Sequence, residues 1–242
     1  MSEFTQKLIY VSDLNEQTRG LIDEKSATLL EKLARHMVQA NKELNLTAIT
    51  DDDGIILKHF VDSVAIAPFI EKNAKIVDVG CGGGFPSLPV AILRDDVSVL
   101  GLDSVTKKVN YVKATASFLG LDNIEVSNER AEVLGQSPLF RESFDLACAR
   151  GVGRLNLLCE LCLPLVRVGG CFVAMKSLTA GEELESARDA ISLLGAKIEG
   201  SFDYSLTNGT ETLSRTIIVL RKIASTPPKY PRNNSQISKK PL

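Results

Sequence analysis

The stretch that decides the fold is Lys75-Ile76-Val77-Asp78-Val79-Gly80-Cys81-Gly82-Gly83-Gly84-Phe85. Its first half is a short apolar run typical of a buried strand, and four glycines follow within five positions. Because glycine has no Cβ and tolerates positive φ, such a turn can bring the backbone close to a ligand. The acidic Asp78 argues against a phosphate-binding loop and favours a ligand that carries a cationic ammonium or sulfonium group.

A second strand-like run ends in an acid, Asp103, about 20 residues further on. A carboxylate in this position can accept hydrogen bonds from both hydroxyls of a ribose. The loop departs from the G-x-G-x-x-G spacing of dinucleotide sites, because Pro86 and Ser87 follow its glycines. The pattern therefore predicts S-adenosylmethionine as the cofactor, and the alternative is a tight βα turn without a ligand.

Strand-like and helix-like segments alternate from residue 75 onward. This alternation predicts an α/β fold with a Rossmann-like parallel sheet covered by helices, and a ligand beyond the carboxyl ends of the strands. The predicted strands are 75–79, 97–102, 123–127, 143–149 and 169–176, and the predicted helices are 86–94, 104–119, 131–135, 154–163 and 181–194. Two further β-type runs, at 197–204 and 212–222, predict a terminal antiparallel hairpin.

The chain divides into three parts by its pattern. Residues 1–72 are expected to form a helical amino-terminal extension packed on an α/β domain of residues 73–223. Residues 224–242 are expected to be a basic, flexible tail. Although the net charge of the chain is −2, the stretch 221–242 has six basic residues and no acidic ones. This charge predicts a polyanion-binding appendage, with a solvated disordered end as the alternative.

Composition limits the class of protein. The 242 residues are 44% hydrophobic, which is enough for one good core with a small accessory unit. No apolar run approaches the roughly 20 residues that span a bilayer, and the amino terminus lacks a signal-peptide segment, so we expect a cytoplasmic protein without a membrane partner. The five cysteines are expected to be buried thiols. Cys159 and Cys162 lack a second pair of ligands, so no metal site is expected.

Other polar residues follow later strands at the same edge of the predicted sheet. Ala131 and Glu132 could flank and hydrogen-bond an adenine ring, although Glu132 also suits a helix start. Arg150 could hold the cofactor's carboxylate or an RNA phosphate, with a structural ion pair as the alternative. Lys176 is a candidate for RNA phosphate, with a solvated strand end as its alternative.

The end of the fourth predicted strand argues against two classes of methyltransferase. Enzymes that methylate exocyclic amines commonly have an Asn/Asp-Pro-Pro-aromatic turn there, whereas this chain has Ala149-Arg150-Gly151-Val152. Cytosine-C5 enzymes need an activated cysteine nucleophile near the cofactor. Cys148 lies within the strand pattern without an adjacent proline, which disfavours that chemistry.

The whole chain resembles the RsmG/GidB family of bacterial small-subunit rRNA guanine-N7 methyltransferases. The matching segments are Asn45-Leu46-Thr47-Ala48-Ile49, His59-Phe60-Val61-Asp62-Ser63, Asp78 to Pro89, Leu102 to Lys108, Arg130-Ala131-Glu132, Ala149-Arg150 and Pro228-Lys229-Tyr230-Pro231-Arg232. The chain departs from the family at Ala40, where a tryptophan is frequent, and at Met175-Lys176-Ser177, where Leu-Lys-Gly is more usual.

The resemblance implies a class I S-adenosylmethionine-dependent methyltransferase. Its substrate would be N7 of a guanine in the 530 loop of 16S rRNA, position 527 in the usual rRNA numbering. The enzyme would act on 16S rRNA, the small ribosomal subunit or an assembly intermediate. We expect the protein itself to be a monomer. The predicted cofactor-binding residues are Asp78, Gly80, Gly82, Phe85, Asp103, Ala131, Glu132 and Arg150.

Guanine N7 has a lone pair and no proton, so no obligatory base is expected. Arg150 and Lys176 are candidates for positioning the substrate. Two alternatives remain open. One is a class I methyltransferase that acts on a small molecule or a protein, and the other is a cofactor-binding module without activity.

Overall fold

The computed structural model describes residues 1–177 and 180–242. Its strands are β1 (Lys75–Val79), β2 (Ser98–Leu102), β3 (Ile124–Ser127), β4 (Phe144–Arg150), β5 (Val166–Lys176), β6 (Ala196–Thr207) and β7 (Thr212–Lys222). They form one sheet in the order β3-β2-β1-β4-β5-β7-β6. Strands β1 to β5 are parallel, and β7 is antiparallel to both β5 and β6. The prediction of a Rossmann-like sheet with a terminal antiparallel hairpin is confirmed.

Helices precede, cover and follow this sheet. They are α1 (Glu3–Leu14), α2 (Glu24–Leu44), α3 (Asp52–Gly54), α4 (Asp62–Val64), α5 (Ser87–Leu93), α6 (Thr106–Leu119), α7 (Ala131–Leu134), α8 (Leu155–Cys162), α9 (Ala180–Ser186), α10 (Arg188–Leu193) and α11 (Asn234–Lys239). A π-helix (Ile55–Val61) joins α3 to α4. The sequence did not predict α1 or α11, and the predicted helix 181–194 is divided into α9 and α10.

The amino-terminal helices pack on one face of the sheet. Helix α2 begins with a capping box, in which Asp23 accepts from the Ser26 backbone N–H at 2.8 Å. Its buried side recurs at helical spacing through Leu30, Leu33 and Met37 and joins the core formed with α5 and α6. Asn15, which follows α1, exchanges two hydrogen bonds with the Thr207 backbone. The extension is therefore tied to the far edge of the sheet.

Two hydrophobic cores lie on opposite faces of the sheet, as alternation along β1 requires. Ile76 belongs to the core shared with α2, α5 and α6, and Val77 belongs to the core shared with α7, α8 and α10. The parallel register pairs Val79 with Leu102, so β1 and β2 end at one edge. Across the described parts of the chain, we find no helix with the length and apolarity to span a bilayer.

Candidate functional site

A cavity of about 500 Å³ opens at the carboxyl ends of β1 to β4. This volume lies within the range of about 300–1,000 Å³ that is usual for small-molecule sites. Seven of the eight predicted cofactor-binding residues line it, namely Gly80, Gly82, Phe85, Asp103, Ala131, Glu132 and Arg150. Residues far apart in sequence thus meet at the edge where the strand pattern places a ligand.

Two glycines of the loop, at positions 80 and 82, have positive φ but differ in what surrounds them. Gly80 has a φ of +83°, and a Cβ there would lie 2.3 Å from Cγ2 of Val152. Gly82 also has a positive φ of +56°, but a Cβ there would meet only the Gly80 carbonyl oxygen, at 4.0 Å. Gly80 therefore permits close packing with the loop after β4, whereas the space beside Gly82 stays open to the cavity.

Asp103 links the glycine-rich loop to the end of β2. Its Oδ2 accepts from the Gly82 backbone N–H at 3.0 Å, and its Oδ1 accepts from the Val105 backbone N–H at 2.8 Å. Because each carboxylate oxygen can accept a second hydrogen bond, the side chain still has capacity for a pair of ligand hydroxyls. This geometry suits the ribose contact predicted for Asp103.

Asp78 does not line the cavity, which corrects the expected direct contact with a cationic ligand. Its side chain is fully buried, and its Oδ2 accepts from the Ser87 backbone N–H at 3.2 Å and from Ser87 Oγ at 2.5 Å. Burial raises the pKa of the Asp78 carboxyl to about 6. The carboxylate holds the start of α5 against β1 and thereby shapes the loop between them.

The segment after β3 supplies another part of the cavity wall. Ala131 and Glu132 are both buried and both line the cavity at the start of α7. Arg130 Nε donates to Glu132 Oε1 at 2.6 Å. Glu132 is therefore a paired acid in the first turn of α7 and also part of the cavity wall.

Arg150 combines an ion pair with a place in the cavity wall. Its guanidinium donates to the Lys58 carbonyl at 2.9 Å and to Asp62 Oδ2 at 3.0 Å. The buried Asp62 also accepts from Arg215 Nε at 2.9 Å. The guanidinium of Arg150 lies 5.6 Å from the centre of the Phe85 ring. The charge network joins the amino-terminal extension to β4 and β7 beside the cavity.

His59 is a cavity residue to which sequence reasoning gave no role. Its ring stacks on Phe85 with centroids 4.6 Å apart, and its Nε2 is 2.9 Å from Thr47 Oγ1. Burial and the nearby Arg150 charge lower the pKa of His59 to about 4, so the imidazole is neutral at pH 7. The only sequence signal was that Thr47 and His59 both fall in segments that match the family.

Lys176 is not free to meet RNA, which corrects its expected role. Its Nζ donates to the Gly153 carbonyl at 2.5 Å and to Glu183 Oε2 at 2.6 Å, and its side chain is only 9% exposed. Lys176 therefore ties the end of β5 to the loop after β4 and to α9. It does not line the cavity.

The predicted flexible tail is packed against the domain. We call residues 226–242 the carboxyl-terminal strap. Arg141 donates to the backbone carbonyls of Thr226 and Tyr230, and Arg232 forms an ion pair with the buried Glu160. Asn234 reaches the cavity lining. The expectation of a free extension is thus corrected, because internal partners hold the strap in place.

Half of the basic residues near the carboxyl terminus are neutralised within the fold. Arg221 pairs with Glu199, Lys222 with Glu142, and Arg232 with Glu160. The other three, Lys229, Lys239 and Lys240, are exposed.

The cysteines form no nucleophilic or metal-binding cluster within the described residues. All five are buried free thiols. Burial raises the pKa of both Cys148 and Cys162 well above the usual range of a thiol. Residues 1–177 and 180–242 contain no group of three or more His, Cys, Asp or Glu side chains arranged to hold a metal ion.

The family model described as rRNA small subunit methyltransferase G (GidB) matches residues 26–206. The chain belongs to this family of rRNA methyltransferases. The ribosomal RNA small subunit methyltransferase G of Acetivibrio thermocellus is 44% identical over 203 residues, covering 84% of this chain and 83% of that protein. The enzyme of the same name from Exiguobacterium sibiricum is 40% identical over 236 residues, covering 96% and 98%. The predicted family resemblance is confirmed.

Solved structures with low sequence identity share the fold. The precorrin-6y C5,15-methyltransferase of Geobacter metallireducens superimposes with a TM-score of 0.51 at 17% identity, over 75% of this chain and 92% of that one. TYW2 of M. jannaschii, in complex with AdoMet, gives a TM-score of 0.50 at 12% identity, over 64% and 72%. The class I methyltransferase fold is confirmed, and the family supports S-adenosylmethionine as the cofactor.

Proposed function

We propose that this chain transfers the methyl group of S-adenosylmethionine to N7 of a guanine in the 530 loop of 16S rRNA. The observation that carries the proposal is the cavity, where the Asp103 carboxylate and the open glycine-rich loop meet in a chain of the rRNA small subunit methyltransferase G family. Its place of action would be the cytoplasm, on 16S rRNA, the small subunit or an assembly intermediate.

The residues present fit S-adenosylmethionine. Asp103 would accept from the two ribose hydroxyls, since it keeps unused acceptor capacity while bound to Gly82. Ala131 and Glu132 would flank the adenine. Arg150 would face the carboxylate of the methionine part, because its guanidinium lies at the cavity wall near the end of β1. The role of Asp78 would be indirect, through the loop.

The proposed reaction depends on how the guanine and the methyl donor are placed, and N7 has no proton to be removed. When bound, S-adenosylmethionine supplies an electrophilic methyl, and the N7–CH3 bond forms from the guanine lone pair as the S–CH3 bond breaks. No proton leaves N7, so the chain need not supply a base for that atom. The side chains would instead hold the two partners in line and keep water away. A neutral His59 stacked on Phe85 suits this apolar wall.

RNA would approach over exposed cations around the cavity mouth. The half-buried Lys108 and the exposed Arg130, which also pairs with Glu132, line the cavity, and Lys107 is exposed beside them. Lys229, Lys239 and Lys240 on the strap are exposed as well. These side chains would neutralise phosphates, while the target guanine enters the cavity from an accessible loop.

A transfer assay with methyl-labelled S-adenosylmethionine tests this proposal. The purified chain is offered separately to 16S rRNA, small subunits, total cell protein and a small-molecule extract from cells that lack it. Label in 16S rRNA or the subunit is the expected result. Label in protein or small molecules alone would favour the other class of methyltransferase, and the absence of label from every fraction would favour a binding module.

A further inference from the structure

The carboxyl-terminal strap packs against α7 and α8, two helices that contribute residues to the cavity wall. Arg232 gives its backbone N–H and Nε to Glu160 Oε1 at 2.9 and 2.8 Å, and another guanidinium nitrogen to Oε2 at 2.6 Å. Glu160 is fully buried on α8, and its neighbour Leu161 lines the cavity. A buried carboxylate with a bidentate arginine is a rigid attachment, because breaking it would leave a charge unpaired inside the protein.

The wall that the strap borders is the one formed by α7. A Cβ at Gly135, just after α7, would lie 2.8 Å from Pro231 Cγ, and Gln136 donates to the Pro231 carbonyl at 2.8 Å. Two residues after this attachment by Arg232, Asn234 itself lines the cavity. Asn234 thus reaches the cavity from a segment that packs on α7 and α8, the helices that carry the lining residues Ala131 and Leu161.

We propose that Asn234 contacts the adenine edge of the bound cofactor, and that the Glu160–Arg232 pair positions it there. An asparagine amide can accept from the exocyclic amine of adenine and donate to its N7, a pairing that is specific for adenine. Arg232 is then a positioning residue that acts through the strap. This inference rests on the proposed placement of the adenine beside Ala131, and it gives a chain segment outside the strand-end motifs a role in cofactor selectivity.

Calorimetry without RNA tests the inference. The ligands are S-adenosylhomocysteine and its analogue in which hypoxanthine replaces adenine. For Asn234→Ala, we expect the dissociation constant of the adenine ligand to rise roughly 3- to 10-fold, the effect of losing one or two hydrogen bonds. The hypoxanthine ligand keeps the N7 acceptor but lacks the amine donor, so its dissociation constant should rise by a smaller factor. The ratio of the hypoxanthine dissociation constant to the adenine dissociation constant should therefore fall. Ser235→Ala, an exposed neighbour on α11, is the matched control and should bind both ligands as the wild type does.

Arg232→Lys keeps the charge but loses the bidentate fork, and we expect it to lower the same ratio. If Arg232 only stabilises the fold, Arg232→Lys should reduce thermal stability and leave the ratio of the two dissociation constants unchanged. Asp103→Ala provides a benchmark, because a ribose contact should affect both ligands equally. Unchanged binding in Asn234→Ala with weakened binding in Asp103→Ala would overturn the inference and leave the proposed cofactor site standing. Unchanged binding in both variants would overturn the inference and the proposed cofactor placement together.

Discussion

Replacing Asp103 by alanine should weaken S-adenosylmethionine binding far more than it weakens the fold. The carboxylate lines the cavity and is aligned by two backbone donors, Gly82 and Val105. Hydrogen bonds to a charged acceptor contribute about 1.5–3 kcal/mol, so losing the ribose contact should raise the dissociation constant about 10- to 150-fold. The same change also frees the Gly82 N–H from the loop anchor, which acts in the same direction.

Isothermal titration of S-adenosylmethionine, with thermal unfolding of each variant, measures this effect. Asp103→Asn keeps one acceptor oxygen and should fall between the wild type and Asp103→Ala. Asp122→Ala is the matched control, since it removes an exposed carboxylate ahead of β3, at the opposite end of that strand from the cavity. A dissociation constant for Asp103→Ala within a factor of about two of that for Asp122→Ala would refute the assignment of the ribose to Asp103.

Four further outcomes follow from the site. The single-turnover rate with bound RNA should depend little on pH between about 6 and 9, and a log-linear rise with a slope near one, abolished by one carboxylate or histidine substitution, would contradict N7 chemistry without a base. Because the pKa of His59 is about 4 when folded and about 6.5 when unfolded, the unfolded chain takes up a proton first as pH falls. The unfolding free energy of the wild type, measured by urea titration, should therefore fall by about 2 kcal/mol more than that of His59→Gln between about pH 7 and 5. The same pH dependence of the unfolding free energy in both proteins would contradict this expectation. Replacing Lys229, Lys239 and Lys240 together by glutamine should reduce the salt slope of RNA binding by about 2, at about 0.7 per phosphate contact, and an unchanged slope would exclude them from the RNA interface. Gly80→Ala should prevent cofactor binding in calorimetry, since its Cβ would meet Val152 at 2.3 Å, and normal binding would show that the loop can shift.

Local patterns were sufficient to predict the sheet. The parallel strands are short, largely apolar runs, and the glycine-rich turn fixes where β1 ends. Cavity residues such as Asp103 and Ala131 were predictable for the same reason, because the carboxyl ends of parallel strands meet at one edge. The sequence signals were local, and so were the features that they predicted.

The features that sequence reasoning missed depend on partners distant in the chain. The strap is fixed by Glu160, which is 72 residues before Arg232, and composition alone made it look like a free basic tail. His59 lies in the amino-terminal extension and stacks on Phe85, which follows β1 in the α/β domain. Asp78 was expected to contact the ligand, but its carboxylate turns toward the start of α5 instead of the cavity.

Mapping of modified nucleosides in 16S rRNA tests the central claim most directly. Small-subunit rRNA from cells that lack this protein would be compared with rRNA from cells that carry it and from cells that carry Asp103→Ala, by digestion and mass spectrometry of the fragments. We predict N7-methylguanosine in the 530 loop with the intact protein, its absence without the protein, and strong depletion with Asp103→Ala. An identical modification pattern in all three samples, or a methyl group gained at another atom or another site, would contradict the account.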